Sequence, residues 1–274
     1  MSVTDRSALF LALALTGCDL VLDLDAEGAV AGATGGGAGA GGTGGDACEG
    51  HARFDGQQLI AIEDDPHLDK DDDLSIVARL RLDAGTVAPG GGVYAGTVFS
   101  RVDPAREKGY ELALTEPDDD GAVYPELRVS TGEEPCTCRG TLPVPADRWV
   151  SVAAVFATKK LGPDRDAAVF VDGQLACEVS CDDEKPGTFH GVAAIGAASD
   201  LGSGFFVGAI AEISIRRFQG GDVAGGCGAE AYLHVSFDAA LEQSFAADCP
   251  DAIELTLGAS SAPGPDDPEV VTCP

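Results

Sequence analysis

The chain of 274 residues carries 46 acidic against 17 basic residues, a formal net charge of −29, so phosphate-rich partners are repelled wherever a local basic patch is missing. The longest basic clusters are the pairs Lys159-Lys160 and Arg216-Arg217, which read as solvated strand ends or loops, and no nucleic-acid partner is expected. With the first 46 residues set aside as unfolded, roughly 230 remain, the size of one all-β sandwich or barrel.

Arg6 precedes the apolar run Ala8 to Leu15, which is too short to span a bilayer and suits the hydrophobic region of an export signal. The run ends in Leu15-Thr16-Gly17-Cys18. This resembles the bacterial lipobox, in which an apolar residue and two small residues precede a Cys whose thiol is acylated before the leader is cut. The resemblance implies a lipoprotein signal peptide over 1–17 and a lipidated Cys18 at the mature amino terminus, with the membrane engaged through the anchor alone. The expected location is the cell envelope outside the cytoplasm, at the outer membrane or cell surface. Residues 18–46 continue as a Gly/Ala-rich tether with almost nothing to bury; about 28 residues of flexible coil would hold a domain roughly 30 Å from its anchor. Signal and linker are both expected to be disordered.

Nine cysteines are an odd number for an exported chain, and lipidation of Cys18 accounts for one of them. The remaining eight, Cys48, Cys136, Cys138, Cys177, Cys181, Cys227, Cys249 and Cys273, suffice for four disulfides in an oxidising compartment. A zinc site built from Cys136-x-Cys138 and Cys177-x-x-x-Cys181 is the rival reading, and it lacks the usual Cys-x-x-Cys knuckles.

From Cys48 onward the pattern is one of strands and turns. Leu74, Ile76, Ala78, Leu80 and Leu82 alternate with Ser75, Val77, Arg79 and Arg81, the period of a strand with one buried face. Short runs of the same kind recur at Gln58 to Ile62, Thr97 to Val102, Tyr110 to Leu114, Glu126 to Ser130, Trp149 to Phe156, Ala167 to Val171, Leu175 to Val179, Val192 to Gly196 and Val207 to Phe218. Asp172-Gly173 between two such runs predicts a tight hairpin. No stretch sustains a period of 3.6, so the domain is expected to be all-β.

Phe54-Asp55-Gly56, then Leu59 to Ile62 and Leu74 to Leu82, resembles the opening of a laminin G-like domain of the concanavalin A-like lectin/glucanase superfamily. Asp147-Arg148-Trp149-Val150-Ser151-Val152-Ala153 resembles that family's Trp-bearing strand, and Val169-Phe170-Val171-Asp172-Gly173 its Asp-Gly hairpin. Ile195-Gly196 and Phe206 to Ile215 resemble its closing strands. The likeness implies a two-sheet antiparallel jelly-roll sandwich over 47–218 with its termini on neighbouring strands. Residues 219–274 then form a disulfide-stapled extension packed on the sandwich. It also implies that Cys48 and Cys227 can pair, and that the loop cysteines Cys136 and Cys138 cross-link to Cys177 and Cys181.

For catalysis, the superfamily's Glu-x-Asp-x-x-Glu and Glu-x-Asp-x-Glu patterns are missing. Glu111 and Glu116, an odd number of positions apart, fall on opposite faces of a regular strand and read as edge charges. No Gly-x-Ser-x-Gly elbow exists, Ser203 reads as a turn residue, and His51, His67, His190 and His234 show no metal-binding spacing. The protein is therefore expected not to be an enzyme. Aromatic candidates for ligand binding are Tyr94, Tyr110, Tyr124, Phe205 and Phe206, since the single Trp, Trp149, matches a core position.

No cofactor is required by this reading. Calcium is the one ion that the acidic loops could collect, with Asp118, Asp119 and Asp120 as first candidates and Asp64-Asp65, Asp71 to Asp73 and Asp182 to Glu184 behind them. Ala211 stands where many relatives carry Asp. The functional expectation is a monomeric, non-catalytic lipoprotein whose domain recognises or adheres to a glycan or an extracellular or envelope protein through loops at one end. A divergent glycoside hydrolase or lyase, and an architectural envelope protein without a specific ligand, are the alternatives.

Overall fold

The computed structural model describes residues 50–66, 68, 73–83, 96–103, 108–115, 117–131, 135–157, 161, 165–181, 191–218, 231–238, 241–248, 253–260 and 264–272, together with the backbone of 21–22 and 223–224. Cys18, Cys48, Cys227, Cys249, Cys273 and Tyr94 lie outside these residues, as do the signal segment and nearly all of the tether. Among the described residues there is no helix. The strands in chain order are β1 (Val21–Leu22), β2 (His51–Asp55), β3 (Ile60–Ile62), β4 (Leu74–Arg81), β5 (Gly96–Asp103), β6 (Lys108–Leu114), β7 (Pro125–Thr131), β8 (Cys136–Arg139), β9 (Val150–Phe156), β10 (Ala167–Val171), β11 (Gln174–Val179), β12 (Ala193–Ile195), β13 (Val207–Arg217), β14 (Val223–Ala224), β15 (Ala231–Ser236), β16 (Ser244–Ala246), β17 (Glu254–Leu257) and β18 (Glu269–Val271).

Apart from the short pair β1 and β14, the strands form two antiparallel sheets packed as a jelly-roll sandwich. Sheet one runs β11-β10-β9-β4-β13-β2-β18, and β15 also pairs with β13. Sheet two runs β16-β17-β3-β12-β5-β6-β7-β8. β13 shares one side between two partners: Val207 to Ile210 pair with β2, and Glu212 to Arg216 pair with β15. A register shift between Ile210 and Glu212 marks the division.

Side-chain alternation places the core. Leu74, Ile76, Ala78, Leu80 and Leu82 of the β4 segment meet Val150, Val152, Ala154 and Phe156 of β9 and, from sheet two, Phe99, Leu112, Leu127 and Val129. The opposite faces of β9 and β10 are buried too, in a second cluster of Val77, Ala153, Val155, Ala168, Phe170 and Phe218, which is why these strands read as continuous apolar runs. At the β10–β11 hairpin, Asp172 and Gly173 take φ of 46° and 77°, the left-handed pair that a two-residue turn requires, with Val171 and Gln174 closing it.

Cys136 and Cys138 lie on a strand, β8, and not in a loop as the sequence suggested. Their pairing to the edge of sheet two through Val129↔Cys136 and Leu127↔Cys138 is what makes them a strand. Cys138 is bonded to Cys177 of β11, and Cys136 to Cys181 just beyond it. Both bridges therefore join the edge strand of one sheet to the edge of the other.

The carboxyl-terminal segment is built into the sandwich more deeply than an extension packed on it. β15 and β18 hydrogen-bond into sheet one, and β16 and β17 into sheet two through β3. Leu233, Val235, Phe237, Ile253, Leu255 and Leu257 belong to the common core.

Candidate functional site

β6 lies between β5 and β7, inside sheet two. Tyr110, Leu112 and Leu114 enter the core with Leu127 and Val129 of β7, so strand alternation turns Glu111, Glu126 and Arg128 to the outer face. The registers Ala194↔Ser100, Ser100↔Glu111, Glu111↔Arg128 and Arg128↔Thr137 string one row across five strands. Glu126 stands in the next row, between Ala113 and Arg139.

Arg128 joins the two acids. Its Nε donates to Glu126 Oε1, and its Nη1 lies 3.4 Å from Glu111 Oε1. The guanidinium side chain is 52% exposed while the Glu111 and Glu126 side chains are 11% and 10% exposed, so two sunken carboxylates carry a cation on top. On the other side, the Ser199 hydroxyl donates to Ser100 Oγ at 2.9 Å and accepts from the Val102 N–H. Burial raises the Glu111 carboxyl above its ordinary range; Arg128 and a hydrogen bond with Ser100 draw it back, and Glu126 and Asp200 push it further up.

Residues 197–206 border this row. Leu201 and Phe205 pack on Leu59, Ala194 and Ala197, and Asp200 fixes the turn by accepting from the N–H groups of Gly202 and Ser203 and from the Ser203 hydroxyl. These bonds hold the Asp200 carboxyl below its usual range, the Gly202 N–H contributing most. Asp118 does the same for the β6–β7 connection. Its Oδ1 accepts from the Asp120 and Ala122 N–H groups at 3.0 and 2.8 Å, and its Oδ2 from the Tyr124 hydroxyl at 2.9 Å. The Ala122 N–H and then Tyr124 depress the Asp118 carboxyl, and the same bond raises the Tyr124 phenol. Arg139 lies over the Tyr124 ring at 5.9 Å.

The aromatic candidates separate. Tyr110 is 2% exposed, stacks on Phe99 and donates to the Leu68 carbonyl, so it is a core residue with no face for a ligand. Phe206 is also core, packed edge-on against Phe54. Phe205 is half-buried in the bordering segment, and Tyr124 is half-buried at the turn. Asp118, Asp119 and Asp120 are exposed in that turn, and among the described residues no three potential metal ligands converge.

Two sequence expectations are corrected. Glu111 is on an interior strand and not an edge charge, and its partners lie across strands where sequence parity cannot see them. Trp149 is half-buried outside the core, with Arg81 5.1 Å and Arg79 6.0 Å from its ring and His51 set edge-on at 5.5 Å. Its parity offered the signal: Val150 and Val152 point inward, so Trp149 and Ser151 point out.

With this sandwich established, the sequence match decides the family. A laminin G family model, described as Concanavalin A-like lectin/glucanases superfamily, matches residues 54–217, about three-fifths of the chain. The chain belongs to the laminin G-like family. Among solved structures, this laminin G-like chain is similar to a proposed carbohydrate-binding protein from Bacteroides ovatus, with a TM-score of 0.55 and 13% identity over 82% of this chain and 60% of that one. It is also similar to a heptameric SAP-like pentraxin from Limulus polyphemus, at 0.45 and 14% over 61% and 75%. A third is domain 4 of an extracellular arabinanase from Geobacillus stearothermophilus, solved with arabinotriose, at 0.43 and 17% over 75% and 84%. At these identities the likeness is one of fold. No curated protein matches significantly.

Proposed function

We propose that this protein is a non-catalytic glycan-recognition module of the cell envelope, tethered through a lipidated Cys18, with the outer face of sheet two as its binding surface. The observation that carries the reading is the Glu111–Arg128–Glu126 lattice. Its carboxylates are held in place by burial and by one guanidinium, so hydroxyl groups would meet acceptors and donors that are already ordered, and little side-chain entropy is lost on binding. Family membership supports it, since the superfamily is one of lectins and glucanases. The two disulfides suit an oxidising compartment and so a site outside the cytoplasm.

A glycan array followed by calorimetry on the oxidised protein tests the site. Binding should fall at least tenfold in Arg128→Ala, about 1.4 kcal/mol; a silent array on folded protein removes the proposal. Mass spectrometry of mature protein tests the anchor, which an unmodified Cys18 thiol would rule out.

One observation favours a second reading. Glu111 has the raised carboxyl of a general acid, and Glu126 shares its face, which together suggest a hydrolase of the same superfamily. Against it, the Arg128 guanidinium already bonds both carboxylates. Reducing-end release from oligosaccharides, lost in both E111Q and E126Q, would establish that reading over the first.

A further inference from the structure

The outer face of sheet one gathers arginines that the sequence, with its basic residues dispersed, does not announce. Leu80 pairs with Val150, so Trp149, one position earlier, stands opposite Arg81. Ala209 pairs with both Arg81 and Arg53, and Glu269 follows Arg53. At the usual strand spacing Arg81 and Arg53 are roughly 10 Å apart with Ala209 between them. Arg79, two residues before Arg81 and on the same face, pairs with Ser151. β2, β4 and the position just before β9 thus bring Arg53, His51, Arg79, Arg81 and Trp149 to one surface, with β13 between β2 and β4.

Charge compensation across this surface is uneven. Arg81 stacks on Trp149 and has no ion pair among the described residues. A ring contact uses the flat face of a guanidinium and leaves its N–H edge unspent. Arg53 reaches Asp83 at 3.2 Å, with side chains 55% and 29% exposed, a pair worth about 0–1 kcal/mol and readily exchanged. Glu212 stands beside Arg79 in register, and Arg79 is itself already engaged. Glu269 is an exposed acid at the rim. In a molecule of charge −29, a ring-oriented guanidinium with no ion pair among the described residues, and with the exposed Arg53 about 10 Å away, is a site for an anion recognised at short range.

We propose that this face binds an acidic saccharide. A uronate carboxylate is taken by the N–H edge of Arg81 in the fork geometry that guanidinium and carboxylate share. Arg53, exchanging its exposed contact with Asp83, receives a further carboxylate of the same oligomer, and the half-buried ring of Trp149 gives apolar contact to the sugar. This site is separate from the lattice of sheet two and does not depend on it.

Trp149 is the only Trp of the chain, so its emission reports on this face alone. Trigalacturonate should give a saturable change in emission with a submillimolar midpoint. Neutral galactotriose, a hexaglutamate peptide and phosphatidylglycerol vesicles should give none. R81Q should weaken the response at least tenfold, about 1.4 kcal/mol, with R81K intermediate because it keeps the charge and loses the fork. R165Q, which removes an arginine at the opposite end of sheet one beside Glu178, should respond as wild type. Near-UV circular dichroism checks the fold of each variant, and if R81Q fails to fold, R53Q serves, with a several-fold loss expected. Emission unmoved by trigalacturonate, an equal response to the neutral sugar, the peptide or the vesicles, or wild-type affinity in folded R81Q or R53Q overturns the proposal.

Discussion

Breaking the two edge-closing disulfides one at a time and then together should cost more in the double variant than the single variants sum to, because the bridges are nested. Cys138–Cys177 spans 39 positions and lies inside Cys136–Cys181, which spans 45. Either bridge alone closes a loop of about 40 to 46 residues in the unfolded chain, worth about 4 kcal/mol in the loop-entropy model. Once one is formed, the second closes only the short ring running from Cys136 to Cys138 and back from Cys177 to Cys181, about eight residues and about 2.5 kcal/mol. Replacing either pair by Ala should therefore cost about 2.5 kcal/mol, and replacing both about 6.5, an excess of about 1.5 over additivity. Urea unfolding of the three variants, with the other cysteines left as they are, measures this. Single losses near 4 kcal/mol, or a double loss equal to the sum of the singles, would show that the chain-entropy reasoning fails for this edge.

Gly196 has φ of 80°, and a Cβ there would strike the Phe54 ring; left-handed strain and overpacking together put Gly196→Ala at about 3 kcal/mol less stable in urea. Glu111 titrates higher in the folded than in the unfolded chain, so it binds more protons when folded and its contribution is lost as pH rises from the ordinary Glu range through its raised value. E111Q should therefore lack a decline in stability that wild type shows above about pH 4.5, seen by comparing urea midpoints across pH. The Tyr124 phenol is raised chiefly by its bond to Asp118, so Asp118→Ala should move one phenolate transition to lower pH in ultraviolet titration; an unmoved transition would show that the bond does not hold in solution.

Legibility followed burial on a single face. The Leu74 to Leu82 alternation gave β4 because its inner residues are all core, and Asp172-Gly173 gave the hairpin because few pairs take left-handed φ at both positions. β8 was hidden because Cys-Thr-Cys-Arg has no apolar alternation; its inward anchoring is by disulfide. The site was legible only in part. Tyr110 shares parity with Leu112 and Leu114, which marks it as core, and Trp149 shares parity with Ser151, which marks it as outward. The Glu126–Arg128 contact lies within β7, two positions apart on one face, whereas the Glu111–Arg128 contact depends on the β6–β7 register, fixed by Leu114↔Pro125 at the end of a connection. The Arg53–Ala209–Arg81 row depends on β2 and β4 flanking β13, an order that no local pattern carries.

The same logic bears on where the folding unit ends. A chain stopping at Phe218 would keep the whole span matched by the family model. It would lose the partners of β2, β3 and the second half of β13, leaving three strand flanks unpaired. It would also strip Leu233, Val235, Phe237, Ile253, Leu255 and Leu257 from the core, each worth about 1.5–3 kcal/mol when fully buried. Even discounted for residual burial in the unfolded chain, that gross loss of about 10 kcal/mol matches the whole stability of an ordinary domain. Such a chain should aggregate or remain unfolded, since unpaired edges invite intermolecular pairing. A monomeric, cooperatively melting 47–218 chain with native near-UV dichroism would place the boundary at the family match instead, and would make β15 to β18 an ornament on a self-sufficient sandwich.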